Sequence, residues 1–176
     1  MKKKFIDPNI VHKSKTVENQ IQFFQFNGQS LPLPTEIEIS ESGTCNRSCS
    51  FCPRSAANFI DKKEFITNKL HEKLCVELKE LNYKGTIRYS GFVEPMLDKN
   101  IFNLINMVRN YLPESNIEMV TNGDPLNLKR LKKLFESGLN KILISAYDGK
   151  VESEKLEDLC IQANLTEKQY IVRHRY

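Results

Sequence analysis

Long apolar runs are missing from this chain. No stretch of the 176 residues reaches the roughly 18 continuous apolar positions that cross a bilayer, so a membrane-spanning helix is not expected. The amino end, MKKKFIDPNI, has the lysines of a secretory leader, but Asp7, Pro8, Asn9, His12 and Lys13 stand where an apolar segment is required. An excess of one charge is missing too. The 26 basic and 22 acidic residues interleave to a net +4, a weak basis for nucleic-acid binding. The two locally basic stretches, Lys2 to Lys4 and the closing VRHRY, read as solvated termini. There is no phosphate-cradling glycine loop and no serine elbow. Histidine is scarce, and His12, His71 and His174 form no recognisable metal or catalytic set.

These absences predict a cytoplasmic protein with no membrane partner and no clear nucleic-acid partner. In a reducing compartment, clustered cysteines are metal ligands or redox groups sooner than structural disulfides. The length suits a single domain with a hydrophobic core of its own.

What is present is cysteine, concentrated in one place. Three of the five fall within eight positions of CNRSCSFCPR, as Cys45, Cys49 and Cys52. Cys75 and Cys160 lie inside helical patterns and read as small core residues.

Around that loop the pattern is one of alternation. IQFFQFNGQSLPLP suggests a turn at Asn27 and Gly28, with Pro32 and Pro34 demoting the second arm from regular strand. Residues 1–34 read as a lead-in and 35–176 as the core domain. EIEIS (36–40) alternates as a strand, and the helical segment 68–81 places Leu70, Leu74, Leu78 and Leu81 on one stripe. GTIRYS then returns as a strand. Helices follow at 100–112, at LNLKRLKKLFESG with Gly138 as its stop, and around 152–163. Strands follow at NIEMV, KILISA and YIVRH. Five strands alternating with four helices predict an α/β fold with a parallel sheet and crossover helices. Only two residues follow the last strand, too few to cover its edge. The expectation is a partial (β/α) barrel that is incomplete after the fifth core strand, either a fragment of a longer barrel or one completed by a partner.

The cysteine loop follows the first core strand, at the carboxyl end where parallel folds gather chemistry. Spacers of three and two residues let one loop aim three sulfurs at a common object. Structural zinc wants a fourth protein ligand. A four-iron cluster on three thiolates keeps one iron open.

The C-x3-C-x2-C pattern with Phe51 before the last cysteine resembles the radical S-adenosylmethionine (radical SAM) superfamily, and the alternation over 36–174 fits that family's partial barrel. The resemblance implies an enzyme carrying a [4Fe-4S] cluster on Cys45, Cys49 and Cys52. In it, the open iron chelates the amino and carboxylate groups of S-adenosylmethionine, and reductive cleavage yields a 5'-deoxyadenosyl radical that takes hydrogen from substrate. YSGFVEPML resembles the Gly-Gly-Glu-Pro segment, making Glu94 the acceptor for the cofactor's ammonium, with Gly91 retained and Val93 standing where a glycine is usual. VTNGD and ISAYDG resemble cofactor-contacting strand ends, with Asn122 and Ser145 as the contacts. Arg173 is assigned to the carboxylate, and Phe51 to the adenine. Arg47 and Arg54 are placed to offset the charge gathered by the thiolates.

An electron donor such as flavodoxin or ferredoxin is also implied. The CPR after the loop is similar to members acting on peptides or on sugars and alcohols. Against this stands a second reading, a non-catalytic zinc or iron-sulfur module, or an inactive fragment, that assembles with a partner chain.

Overall fold

The computed structural model describes residues 21–176 together with Ile10, so Lys2, Lys3, Lys4 and His12 lie outside the described residues. Strands β1 (Phe23–Phe26) and β2 (Gln29–Pro32) form an antiparallel ribbon whose turn residues, Asn27 and Gly28, both take positive φ. Against the expectation drawn from Pro32, β2 is regular. Pro32 stands opposite Phe23 at a position that owes the ladder no N–H, and the next donor, Leu33 N, reaches Gln22 O at 2.7 Å.

The core strands β3 (Glu36–Ile39), β4 (Thr86–Tyr89), β5 (Asn116–Thr121), β6 (Lys141–Ala146) and β7 (Tyr170–His174) lie parallel in chain order. They are joined by α1 (Asn68–Glu80), α2 (Ile101–Tyr111), α3 (Leu128–Glu136) and α4 (Lys150–Gln162). This is the α/β partial barrel that the alternation predicts. Side-chain caps set two helix starts: Thr67 Oγ1 accepts from Leu70 N at 3.2 Å, and Asn127 Oδ1 accepts from Arg130 N at 2.9 Å. Among the described residues no helix is long and apolar enough to cross a membrane.

The face that α1 buries keeps Leu78, with Leu74 and Leu81 packed against the core, and departs from the leucine stripe at Leu70. His71, Cys75 and Leu78 are buried, whereas Leu70 is 58% exposed. The reason is tertiary: His71 Nε2 pairs with the buried Tyr89 hydroxyl at 2.8 Å, and its Nδ1 meets Met107 Sδ at 3.3 Å. That pairing brings an imidazole into the buried face beside the leucines. Burial drives the His71 pKa down to about 4, so the ring is neutral.

Strand alternation divides the sheet into two unlike faces. Ile39, Ile87, Tyr89, Ile117, Met119, Ile142, Ile144 and Val172 join the apolar core with helix residues such as Leu104, Ile105 and Leu131. The opposite face carries Glu36, Glu38, Arg88, Glu118, Ser145 and Arg173. There Arg88, with 0% exposure, donates to Glu36 Oε1 at 2.7 Å and to Glu118 Oε2 at 2.6 Å. A parallel strand buried on both sides would read as an unbroken apolar run. The acidic and basic alternates in EIEI, TIRY and NIEMV instead mark a face that lines a polar interior.

Candidate functional site

The cysteine loop leaves β3 and is anchored at its root before the first thiol. Gly43 N donates to Glu64 O at 2.9 Å, Ile66 N to Glu41 O at 2.7 Å, and Glu94 N to Thr44 O at 2.9 Å. Cys52 N donates to Cys49 O at 2.9 Å, and Cys52 then caps the short 3-10 turn Pro53–Ser55. This winding brings all three partly buried thiols to the wall of one cavity of about 260 Å³. Cys45 Sγ accepts from Arg47 N at 3.4 Å and from Asn122 Nδ2 at 3.8 Å. Burial raises the Cys49 pKa, the neighbouring Cys45 and Cys52 add to that, and Arg47 opposes it.

The same cavity is lined by Phe51, Gly91, Glu94, Asn122, Ser145 and Arg173, every other residue assigned from the sequence. Glu94 follows β4, Asn122 follows β5, Ser145 is in β6, and Arg173 lies beside Ser145 in the parallel register of β7. The Glu94 carboxylate is buried. Oε1 accepts from Met96 N at 2.9 Å and Thr121 Oγ1 at 2.7 Å, and Oε2 from Asn122 N at 2.7 Å. Burial raises its pKa, and these three hydrogen bonds pull it back. A carboxylate offers about four acceptor sites, so three donors leave one.

Two glycines are required by this packing. A Cβ on Gly91 (φ +121°) would lie 2.1 Å from Ser40 Oγ, and one on Gly123 (φ +83°) would lie 2.9 Å from Ile144 Cγ2. Val93 does not keep Glu94 from the cavity, because both residues line it.

Phe51 is 64% exposed and faces Tyr147 with ring centroids 5.7 Å apart, making an aromatic wall. The arginines do not spend their charge chiefly on the thiols. Arg54 donates to Gly43 O and Phe92 O and pairs with Asp61, tying the loop to its own flanks. Arg47 reaches Asp124, Asp148 and Glu152. Sequence reading misses Thr121, Tyr147 and these acids; Asp124 and Asp148 do stand in the quoted VTNGD and ISAYDG segments.

Under the loop root, Glu41 is 1% exposed, and burial, with smaller repulsion from Asp98 and Glu94, raises its pKa to about 7. Glu41 Oε2 and Asp98 Oδ2 are both buried with no hydrogen-bond partner among the described residues. A raised carboxyl pKa stabilises the fold below the unfolded value near 4.5, and that contribution is lost as pH rises towards 7. Glu41→Gln is therefore expected to add up to about 3 kcal/mol of unfolding free energy at pH 8 and almost none at pH 4, read by urea titration at both pH values. An equal gain at the two pH values would contradict this ionisation.

The cavity wall offers three thiols, the number an open cluster requires, although among the described residues they are not drawn together into a ready-made metal group. Among the described residues no fourth cysteine and no histidine lines the cavity: Cys75 and Cys160 are in the core, His71 is bound to Tyr89, and His174 bonds Tyr176.

Comparison with known proteins agrees with this geometry. The family described as the Radical SAM superfamily matches residues 39–167. The S-adenosyl-L-methionine-dependent 2-deoxy-scyllo-inosamine dehydrogenase of Niallia circulans is 33% identical over 113 residues, 64% of this chain and 45% of that protein. The probable GTP 3',8-cyclase of Thermococcus kodakarensis is 29% identical over 122 residues, 69% of this chain and 38% of that protein. The matched region thus spans less than half the length of either relative. Among solved structures, BtrN in complex with AdoMet and 2-DOIA superposes with a TM-score of 0.67 at 26% identity, covering 80% of this chain and 56% of that one.

Proposed function

Because the chain belongs to the radical SAM superfamily, whose members use a [4Fe-4S] cluster and S-adenosylmethionine, we propose that residues 35–176 bind both and cleave the cofactor reductively to abstract hydrogen from a substrate. One observation carries this reading: three thiols and the polar ends of four successive strands line a single cavity, with no fourth cysteine or histidine among the described residues of its wall.

Cys45, Cys49 and Cys52 hold the cluster. When bound and reduced, the cluster supplies the electron that breaks the sulfonium bond. Glu94 uses its remaining acceptor site for the cofactor's ammonium, whose positive charge favours the ionised carboxylate despite burial. Arg173 and Ser145, side by side on β7 and β6, take the carboxylate and a hydroxyl. Phe51 packs the adenine with Tyr147 behind it, and Asn122 holds the rim between Glu94 and Cys45. The electron comes from a flavodoxin or ferredoxin type of donor in a cytoplasmic setting.

Anaerobic reconstitution with iron and sulfide tests this. The expected product is brown, has a reducible cluster signal that changes when S-adenosylmethionine is added, and forms 5'-deoxyadenosine with dithionite. Anaerobically purified chain that holds one tight zinc and refuses iron would overturn the proposal.

A further inference from the structure

Arg47 sits between the first two cysteines, and its guanidinium reaches across to the neighbouring strand ends. Nε and Nη2 donate to Asp124 at 2.7 and 2.5 Å, Nη1 and Nη2 to Asp148 at 3.1 and 2.8 Å, and Nη2 also to Glu152 at 3.1 Å. Asp124 belongs to the loop after β5, Asp148 to the loop after β6, and Glu152 to the first turn of α4. One planar fork thus spans three segments, separated from it by 77 to 105 positions in the chain.

The acids are themselves built in. Asp124 Oδ2 also accepts from Asn46 Nδ2 at 2.7 Å, and Asn46 Oδ1 accepts from Asn122 Nδ2 at 2.8 Å, which links the fork to the Glu94 rim. Glu152 Oε2 accepts from Tyr147 N at 2.6 Å and Asp148 N at 2.7 Å, fixing the β6 loop. The guanidinium carbon lies 5.2 Å from the centre of the Tyr147 ring, the ring that faces Phe51. Isolated surface ion pairs contribute little, because solvent screens them and the side chains lose entropy. Here the Arg47 side chain is only 17% exposed and engages three carboxylates and a ring at once, the case in which a network outweighs its pairs.

We propose that Arg47 is the positioning residue of the cysteine loop: by bridging Asp124, Asp148 and Glu152 it sets the loop and the Phe51–Tyr147 wall in place before any metal arrives. The proposal rests on the reading that the three cysteines carry the cluster, and it assigns Arg47 a mechanical task distinct from lowering thiol pKa values. Pre-forming the loop spares cluster assembly the entropy of ordering it.

The test compares the unmodified chain with Arg47→Met and Arg47→Lys. In the metal-free proteins, hydrogen exchange of the 45–54 amides is expected to quicken by about tenfold in both variants while strands β4 to β6 keep their protection. A lysine ammonium cannot span three carboxylates, so charge without the fork should not rescue. Cluster formation, followed by visible absorbance during reconstitution, should slow in both variants in parallel. Either unchanged loop exchange in Arg47→Met, or an Arg47→Lys that behaves like the unmodified chain, overturns the proposal. Refusal of iron by the unmodified chain would fail the cluster reading on a separate arm, because the exchange measurement needs no metal.

Discussion

Arg88→Met is expected to lower the unfolding free energy by about 3–5 kcal/mol, because it removes the cation from a buried group of charges and leaves the anions behind. Arg88 has no exposed surface, and its fork is shared between Glu36 and the fully buried Glu118. Methionine replaces much of the aliphatic stem, so the loss is electrostatic more than a matter of volume. Asn116 Nδ2 still donates to Glu118 Oε1 at 2.7 Å, but a neutral amide does not replace the charge of the guanidinium. The double variant Arg88→Met/Glu118→Leu should recover most of the loss, since both charges that water cannot reach are then gone. Chemical denaturation of the three proteins checks the cycle. A single-variant loss under about 1 kcal/mol would mean that water hydrates Glu118 in the fold.

The second large effect separates the metal from the cofactor. Cys49→Ala should abolish cluster assembly, because two thiolates from one short loop do not secure a four-iron centre. Glu94→Ala should keep the iron but weaken the cofactor-induced change in the cluster signal by about 10- to 100-fold in S-adenosylmethionine concentration, the worth of a charge-assisted hydrogen bond. Glu94→Gln should be no milder. Its amide nitrogen would meet the Asn122 N–H, donor against donor, where Oε2 now accepts at 2.7 Å. Iron analysis and titration of the reduced cluster signal decide between the two roles. Equal loss of iron in the cysteine and glutamate variants would contradict the division.

Much of the architecture was legible because the strands carry a period of two and the helices a period near four. KILISA and YIVRH become β6 and β7 at their sequence bounds. The joint placement of Glu94, Asn122 and Ser145 at successive strand ends was legible for the same reason: once strands are located, their carboxyl ends define a rim. The burial of His71 in α1 was not, since a histidine reads as polar until Tyr89 and Met107 are brought beside it. Nor was the Arg47 network, whose partners lie 77 to 105 positions away with no local pattern to announce them. The approach of the two buried carboxyls Glu41 and Asp98 is hidden in the same way, by loops that meet only after the strands have paired.

Strand order that follows chain order also has a temporal consequence. Each β-α unit docks on its predecessor, so the nascent chain can build the sheet as it emerges. The sulfurs emerge first. About 120 residues separate Cys52 from Arg173, and at ribosomal rates of roughly 5–20 residues per second the thiols wait about 6–24 s for the far wall of their pocket.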